Sequence, residues 1–214
     1  MRANDRSERA WAKAAQLAEG VEDLGVGAAV LRYFTRWWPA VAIVSFGAGF
    51  FGIRLLNGGS ADPLPAIQSG FLVSSLATMV SGYVYWWRTI RPLVQPQRMP
   101  ISPWLETSDA KWVVDQILGR RPVMPEHLPV LRGVAAQFRI GTSLTLSTTA
   151  SSLFLAAAFA VGFPGPVMRT IWALLFLVNA GLLAHTIRMF RNSGRFLHST
   201  TPPRPHGEVT APDA

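Results

Sequence analysis

Four stretches of this sequence contain no Asp, Glu, Lys or Arg: residues 37–53, 63–87, 140–168 and 170–187, with lengths of 17, 25, 29 and 18. Each is close to the roughly 20 residues that a helix needs to cross the hydrocarbon core of a bilayer. Lipid offers the backbone no water to bond, so a spanning segment must pair its own N–H and C=O groups, as a helix does. All 20 basic and 12 acidic residues lie between or outside these stretches, and only 15% of the chain is charged. An ordinary soluble domain has about a quarter of its residues charged. The sequence therefore predicts an all-α integral membrane protein. Its four transmembrane helices form two antiparallel hairpins, accompanied by amphipathic cytoplasmic helices. A secreted disulfide scaffold, a nucleic-acid module and a typical soluble enzyme are all argued against.

The basic residues orient the spans. Six precede the first span, eight lie between the second and third, and four follow the last, leaving Arg54 and Arg169 on the opposite side. Basic residues close to span ends favour the cytoplasmic side, so both termini are expected there. Five segments follow: a cytoplasmic amphipathic segment 1–36, hairpin 37–87, a cytoplasmic loop 88–139, hairpin 140–188, and a cytoplasmic tail 189–214, expected to be disordered from about 199. Arginine outnumbers lysine 18 to 2, as GC-rich bacterial genomes favour, and the expected location is a bacterial inner membrane. The first 36 residues are too charged for a cleavable signal peptide, so the first span is read as one that is retained. Basic side chains beside a bilayer also attract anionic lipid headgroups, each by about 1 kcal/mol. The lipid bilayer and those headgroups are the expected partners, with a homo-oligomer or another membrane protein as a further one and no nucleic acid.

Along the chain, Ala10, Ala14, Leu17, Val21, Leu24, Ala28 and Leu31 share one helical face at heptad spacing. This predicts a helix lying on the membrane surface, with a coiled coil or partial disorder as alternatives, since Gly20, Gly25 and Gly27 each weaken it. Trp37 and Trp38 open the first span (about 38–56), and Trp86 and Trp87 close the second (about 65–87). Amphipathic rings prefer the headgroup level, so these four are interfacial anchors. In the central loop, Pro92, Pro96, Pro100 and Pro103 favour extended chain. Thr107 or Ser108 is then expected to cap a helix with Ala110, Val113, Val114, Ile117 and Leu118 on one face, ended by Gly119 and Pro122. With Trp104 and Trp112 as added anchors, that helix suits a membrane interface or a partner groove. Nothing breaks the pattern between about 129 and 162, so one helix of about 50 Å is expected to run from the loop through the third span (about 143–163). The fourth span covers about 170–187.

Possible chemistry is sparse. Gly47-x-Gly49-x-x-Gly52 has the letters of a dinucleotide fingerprint, but it lacks the preceding strand and the aqueous phosphate site. These glycines are read as a close helix-packing surface. The same reading applies to Gly70, Ser74, Thr78 and Gly82, small residues repeating every four positions along the second span. The third span carries Thr142, Ser143, Thr145, Ser147, Thr148, Thr149, Ser151 and Ser152, whose hydroxyls can bond carbonyls of their own helix. Asn179 falls mid-span and is expected to bond a neighbouring helix through a third-span hydroxyl. His185 lies near the cytoplasmic end of the fourth span. No carboxylate or lysine, the usual mark of an ion or proton path, lies inside a span. Cysteine is absent, and His127, His198 and His206 lack ligand spacing. No catalytic, cofactor-binding or metal-binding residues are expected, and the protein is read as not an enzyme. Its expected role is noncatalytic, structural or partner-binding, as an accessory or scaffold. The alternative is a passive pore or uncoupled carrier, formed by an oligomer and lined by the hydroxyls of the third span and Asn179. Only Glu126, His127 and Asp109 stand as loop candidates for an interfacial enzyme.

Overall fold

The computed structural model describes residues 3–58, 62–95 and 100–200. Those residues are almost entirely helical, and four helical stretches are long and apolar enough to cross a membrane: Val26–Leu56, Leu64–Leu93, Pro125–Gly162 and Pro166–Thr200. Their main helices are α3 (Trp38–Leu56), α4 (Leu64–Tyr85), α6 (Leu128–Gly162) and α7 (Pro166–Thr200). α4 packs against both α3 and α6, and α6 packs in turn against α7, so α4 and α6 form the centre with α3 and α7 on the flanks.

Small residues make that centre possible. Gly70, Ser74, Ser75, Thr78 and Gly82 are buried on α4, and Ser143, Ser147, Ala150, Ser151 and Ala158 are buried on α6. Backbones that approach over such residues gain dispersion contacts that lipid chains cannot match. Ser75 Oγ donates to the Ser151 carbonyl at 3.0 Å, and Trp86 Nε1 donates to the Ile140 carbonyl at 3.1 Å. The large apolar side chains point the other way: Ile43, Val44 and Leu55 on α3 and Leu174, Leu177 and Val178 on α7 are exposed. None of the residues in the most apolar stretch of α7 is buried.

The first two of these long apolar stretches widen into π-helical turns at Tyr33–Trp37 and Trp86–Ile90. Each turn lies two residues before a proline, Pro39 and Pro92. A proline offers no N–H to the carbonyl four residues back and crowds it, so the hydrogen-bond ladder is displaced at that point. Before the first π turn the helix continues back as α2 (Val26–Arg32). Span one is thus the end of a helix that starts well before the uncharged block.

The remaining elements gather into a head at one end of the bundle. α1 (Ala3–Ala18) packs on the first turns of α6, α5 (Thr107–Ile117) packs on α6 and α7, and β1 (Glu22–Asp23) pairs antiparallel with β2 (Val94–Gln95). One apolar core joins Ala14, Ala18, Ile101, Val113, Ile117, Leu131 and Phe196, and a second joins Val21, Val26, Val30, Ile90, Val94 and Ala136. α1 comes so close to α6 that a Cβ on Gly133 would lie 2.8 Å from Ala18 Cβ.

The head differs from the sequence reading in four respects. The amino-terminal heptad is not one helix: the chain turns between α1 and α2, with Gly20 and Gly25 at φ of 72° and 107°, where a side chain is strained. Its seam is split accordingly, with Ala14 and Val21 buried and Leu24 and Leu31 exposed. The face of α5 expected to lie on a membrane or in a partner groove is covered by the chain itself, with Val113, Ile117 and Leu118 buried. The residue before that helix is Glu106, not Thr107 or Ser108, and no side chain caps it. The fourth helix also continues past residue 187 to Thr200, so Ser199 and Thr200, expected in a disordered tail, are helical. Residues 201–214, the rest of that tail, lie outside the described residues, as do Pro96 and the middle of the 57–63 turn.

Candidate functional site

Where the head meets the bundle, a buried ion pair joins three elements. The Arg139 guanidinium on α6 contacts Asp23 through Nη1, and the two side chains are only 10% and 7% exposed. The other carboxylate oxygen of Asp23 accepts the backbone N–H groups of Gly25 (2.9 Å) and Val26 (2.7 Å) at the start of α2. A carboxylate suits that position, because the first amides of a helix are unpaired and carry its positive end. Across the guanidinium, the Phe190 ring of α7 lies 4.6 Å away, and glycines 27 and 194 stand against it where a Cβ would crowd it. A buried guanidinium without its carboxylate would be strongly destabilising. This pair therefore holds α2, α6 and α7 in register.

Further into the head lies a pocket of about 510 Å³ whose lining includes Trp11, Asp109, Trp112, Asp115, Arg121 and His127. Trp11 organises it. Its Nε1 donates to Asp109 Oδ2 at 3.0 Å, its face stacks on His127 at 4.1 Å, and its edge meets Trp112 at 5.9 Å. Two loop candidates for interfacial chemistry, Asp109 and His127, are thus brought to one place, while Glu126 is exposed. An indole stands between carboxylate and imidazole, where a general base and its orienting group would have to meet. Asp115 is engaged by Arg120 at 3.2 Å. Among the described residues no three His, Asp or Glu side chains converge on a point that could hold a metal ion.

A third feature, a largely apolar cleft of about 590 Å³, opens between α2–α3 and α7 over a floor made by α6. Leu146 and Ala150 lie in the floor, Phe34 and Ile187 in the walls, and Trp38 and Arg191 also line it. Trp38 Nε1 is buried with no acceptor among the described residues.

The residues singled out from sequence are distributed as follows. Gly70 lies under the Phe46 ring, Ser74 donates to the Ala42 carbonyl at 3.1 Å, Thr78 is buried with its carbonyl accepting from Tyr33, and Gly82 meets Ser147. Gly49 is equally close to the backbone of Ser69 and Gly70, whereas a Cβ on Gly47 or Gly52 would meet nothing. Asn179 accepts from Ser152 Oγ at 2.8 Å and donates to the Leu175 carbonyl at 2.8 Å; His185 is exposed. Trp37 and Trp87 face outward at 57% and 52% exposure, and Arg91 sits over the Trp87 ring at 4.1 Å. Trp38 and Trp86 turn inward, Trp38 stacking on Phe154. Trp104 is exposed, and Trp112 is held in the Trp11 pocket.

Arg139 and Asp23 were legible only as charges. The available signal was Arg139 standing directly before an uncharged block, where its long three-methylene stem and guanidinium reach either solvent or a buried partner. Neither a protein-family profile, nor a curated protein, nor a solved structure matches this chain.

Proposed function

We propose that the chain is a small polytopic membrane protein with a noncatalytic accessory or scaffold role. Its four apolar helices span a bacterial inner membrane as two antiparallel hairpins, with the head and both termini on the cytoplasmic side. The observation that carries this reading is the division of the surface. Large apolar side chains cover the outer faces of α3, α4 and α7, while the basic residues cluster at the head. In water that apolar surface would be far larger than the few hundred Å² that monomers tolerate, whereas in lipid it is ordinary.

The noncatalytic part rests on how the polar groups of the spans are used. Thr142, Ser143, Ser147, Ser151 and Thr186 each donate to a carbonyl of their own helix, and Asn179 is spent on Ser152 and Leu175. The head, folded around two apolar cores, presents a basic platform beside the membrane to a partner.

Because the chain has no cysteine, single introduced thiols report topology cleanly. Asp62→Cys in the α3–α4 turn is expected to react with an impermeant maleimide on intact cells, and Glu126→Cys in the head only after permeabilisation. The reverse pattern, or protein in the supernatant after ultracentrifugation, overturns the topology. Purification in mild detergent tests the role: a strictly monomeric protein with nothing bound to it argues against a scaffold.

A further inference from the structure

We propose that the cleft between α2–α3 and α7 is a binding site for an anionic phospholipid, one acyl chain lying in the cleft and the phosphate held at Arg191. The inference rests on the membrane placement proposed above. A cleft of about 590 Å³ falls within the ~300–1,000 Å³ typical of single-ligand sites. Its floor and walls offer hydrocarbon: Leu146 and Ala150 below, Phe34 and Ile187 at the sides. Such a surface packs against a methylene chain; the chain only exchanges one hydrocarbon surrounding for another, so it supplies fit and leaves the preference to the headgroup.

Charge selects the headgroup. Among the described residues Arg191 is the one charged side chain lining the cleft; it is exposed and has no ion-pair partner among them. Arg188 and Arg195 stand one turn to either side of it on the same helix face, and both are exposed. Among the described residues no carboxylate lines the cleft to offset this row. The rim thus repels a second copy of the chain, which would bring the same basic rim, and attracts a phosphate. Trp38 adds an indole N–H, buried in the wall with no acceptor among the described residues. Closed off from solvent as it stands, it meets an ester or headgroup oxygen only when the indole turns toward the cleft.

The test uses the full chain purified in mild detergent and examined by native mass spectrometry against dioleoyl phosphatidylglycerol, dioleoyl phosphatidylcholine and glycerol 3-phosphate. The wild type is expected to retain phosphatidylglycerol at least tenfold better than phosphatidylcholine, with glycerol 3-phosphate failing to compete. Arg191→Gln should remove the preference, and Leu183→Trp, which narrows the cleft from its wall, should weaken retention of both lipids about fivefold or more. Arg54→Gln, in the last turn of α3 and outside the cleft lining, should change nothing. Equal retention of the two lipids by the wild type, unaltered retention in both cleft variants, competition by glycerol 3-phosphate alone, or a lipid-free dimer each overturns the site. A protein that fractionates with membranes but shows no lipid preference refutes the site alone; one that stays in the supernatant refutes the topology beneath it.

Discussion

Asp23 serves two partners with its two carboxylate oxygens, and substitution separates the two duties. Asp23→Asn keeps an oxygen for the amides of Gly25 and Val26 but leaves the Arg139 guanidinium buried and unpaired. Removing one partner of a buried pair typically costs about 3–5 kcal/mol. Asp23→Ala should cost about 1 kcal/mol more, the usual worth of a helix cap. Thermal unfolding in detergent is expected to rank the wild type above Asp23→Asn and that above Asp23→Ala. Combining Asp23→Asn with Arg139→Met should be milder than the sum of the single changes by about 0.5–3 kcal/mol, because the second change removes the orphaned charge. Additive losses would show that the two side chains do not act as a pair. From sequence Arg139 counted only toward orientation. An arginine at a span end and an arginine in a buried pair have the same letter, and only the chain folding back through β1 distinguishes them.

At the scale of the helix, the three glycines at 47, 49 and 52 have one pattern and two environments. A Cβ on Gly49 would come within 2.7 Å of the Ser69 carbonyl, which is backbone and cannot step aside. Gly49→Ala is therefore expected to destabilise the α3–α4 contact by about 1–3 kcal/mol, as overpacking does. Gly47→Ala and Gly52→Ala should be neutral, or stabilising by up to about 1 kcal/mol, since alanine is the better helix former and the space is open. Melting temperatures of the three variants in one detergent check this, and equal losses would refute it. Between α6 and α7, Asn179→Leu removes the hydrogen bond from Ser152. Polar contacts between membrane helices are worth about 0.6 kcal/mol on average and at most about 1.7, so a loss within that range is expected in the same assay. The four-residue repeat at Gly70, Ser74, Thr78 and Gly82 marked a face from sequence. It did not reveal that α4 uses this face on two neighbours, Phe46 and Ala42 of α3 and Ser147 of α6.

For the whole molecule, the last three turns of α7 belong to the head and not to a tail. Ser193, Gly194 and Phe196 are buried there, and Asn192 Nδ2 reaches the Leu118 carbonyl at 3.5 Å. A chain ended after Arg188 loses the cover over α5 and Gly194 beside Arg139. Limited proteolysis with mass mapping is expected to show new cleavage between residues 105 and 127, with the four spans still protected by detergent. An unchanged cleavage map would mean that the head stands without α7. This region was read as an amphipathic surface feature because a helix with one apolar stripe fits a bilayer, a partner or its own chain equally well. Which of these covers it depends on where α1 and the end of α7 arrive, and no local pattern encodes that.

Charge and apolar length alone determined the number of membrane-length helices and their approximate limits, because the cost of a charge or an unpaired peptide in hydrocarbon is a local property of each segment. The single helix from the loop through the third span was equally readable, since nothing between Leu128 and Gly162 interrupts it. Only the tertiary structure decided the break at Gly20 and Gly25, the burial of α5, the Arg139–Asp23 pair and the cleft beside Arg191. Each of these depends on two segments far apart in the chain meeting at a distance set by packing, and contact between distant segments is a property that neither segment carries by itself.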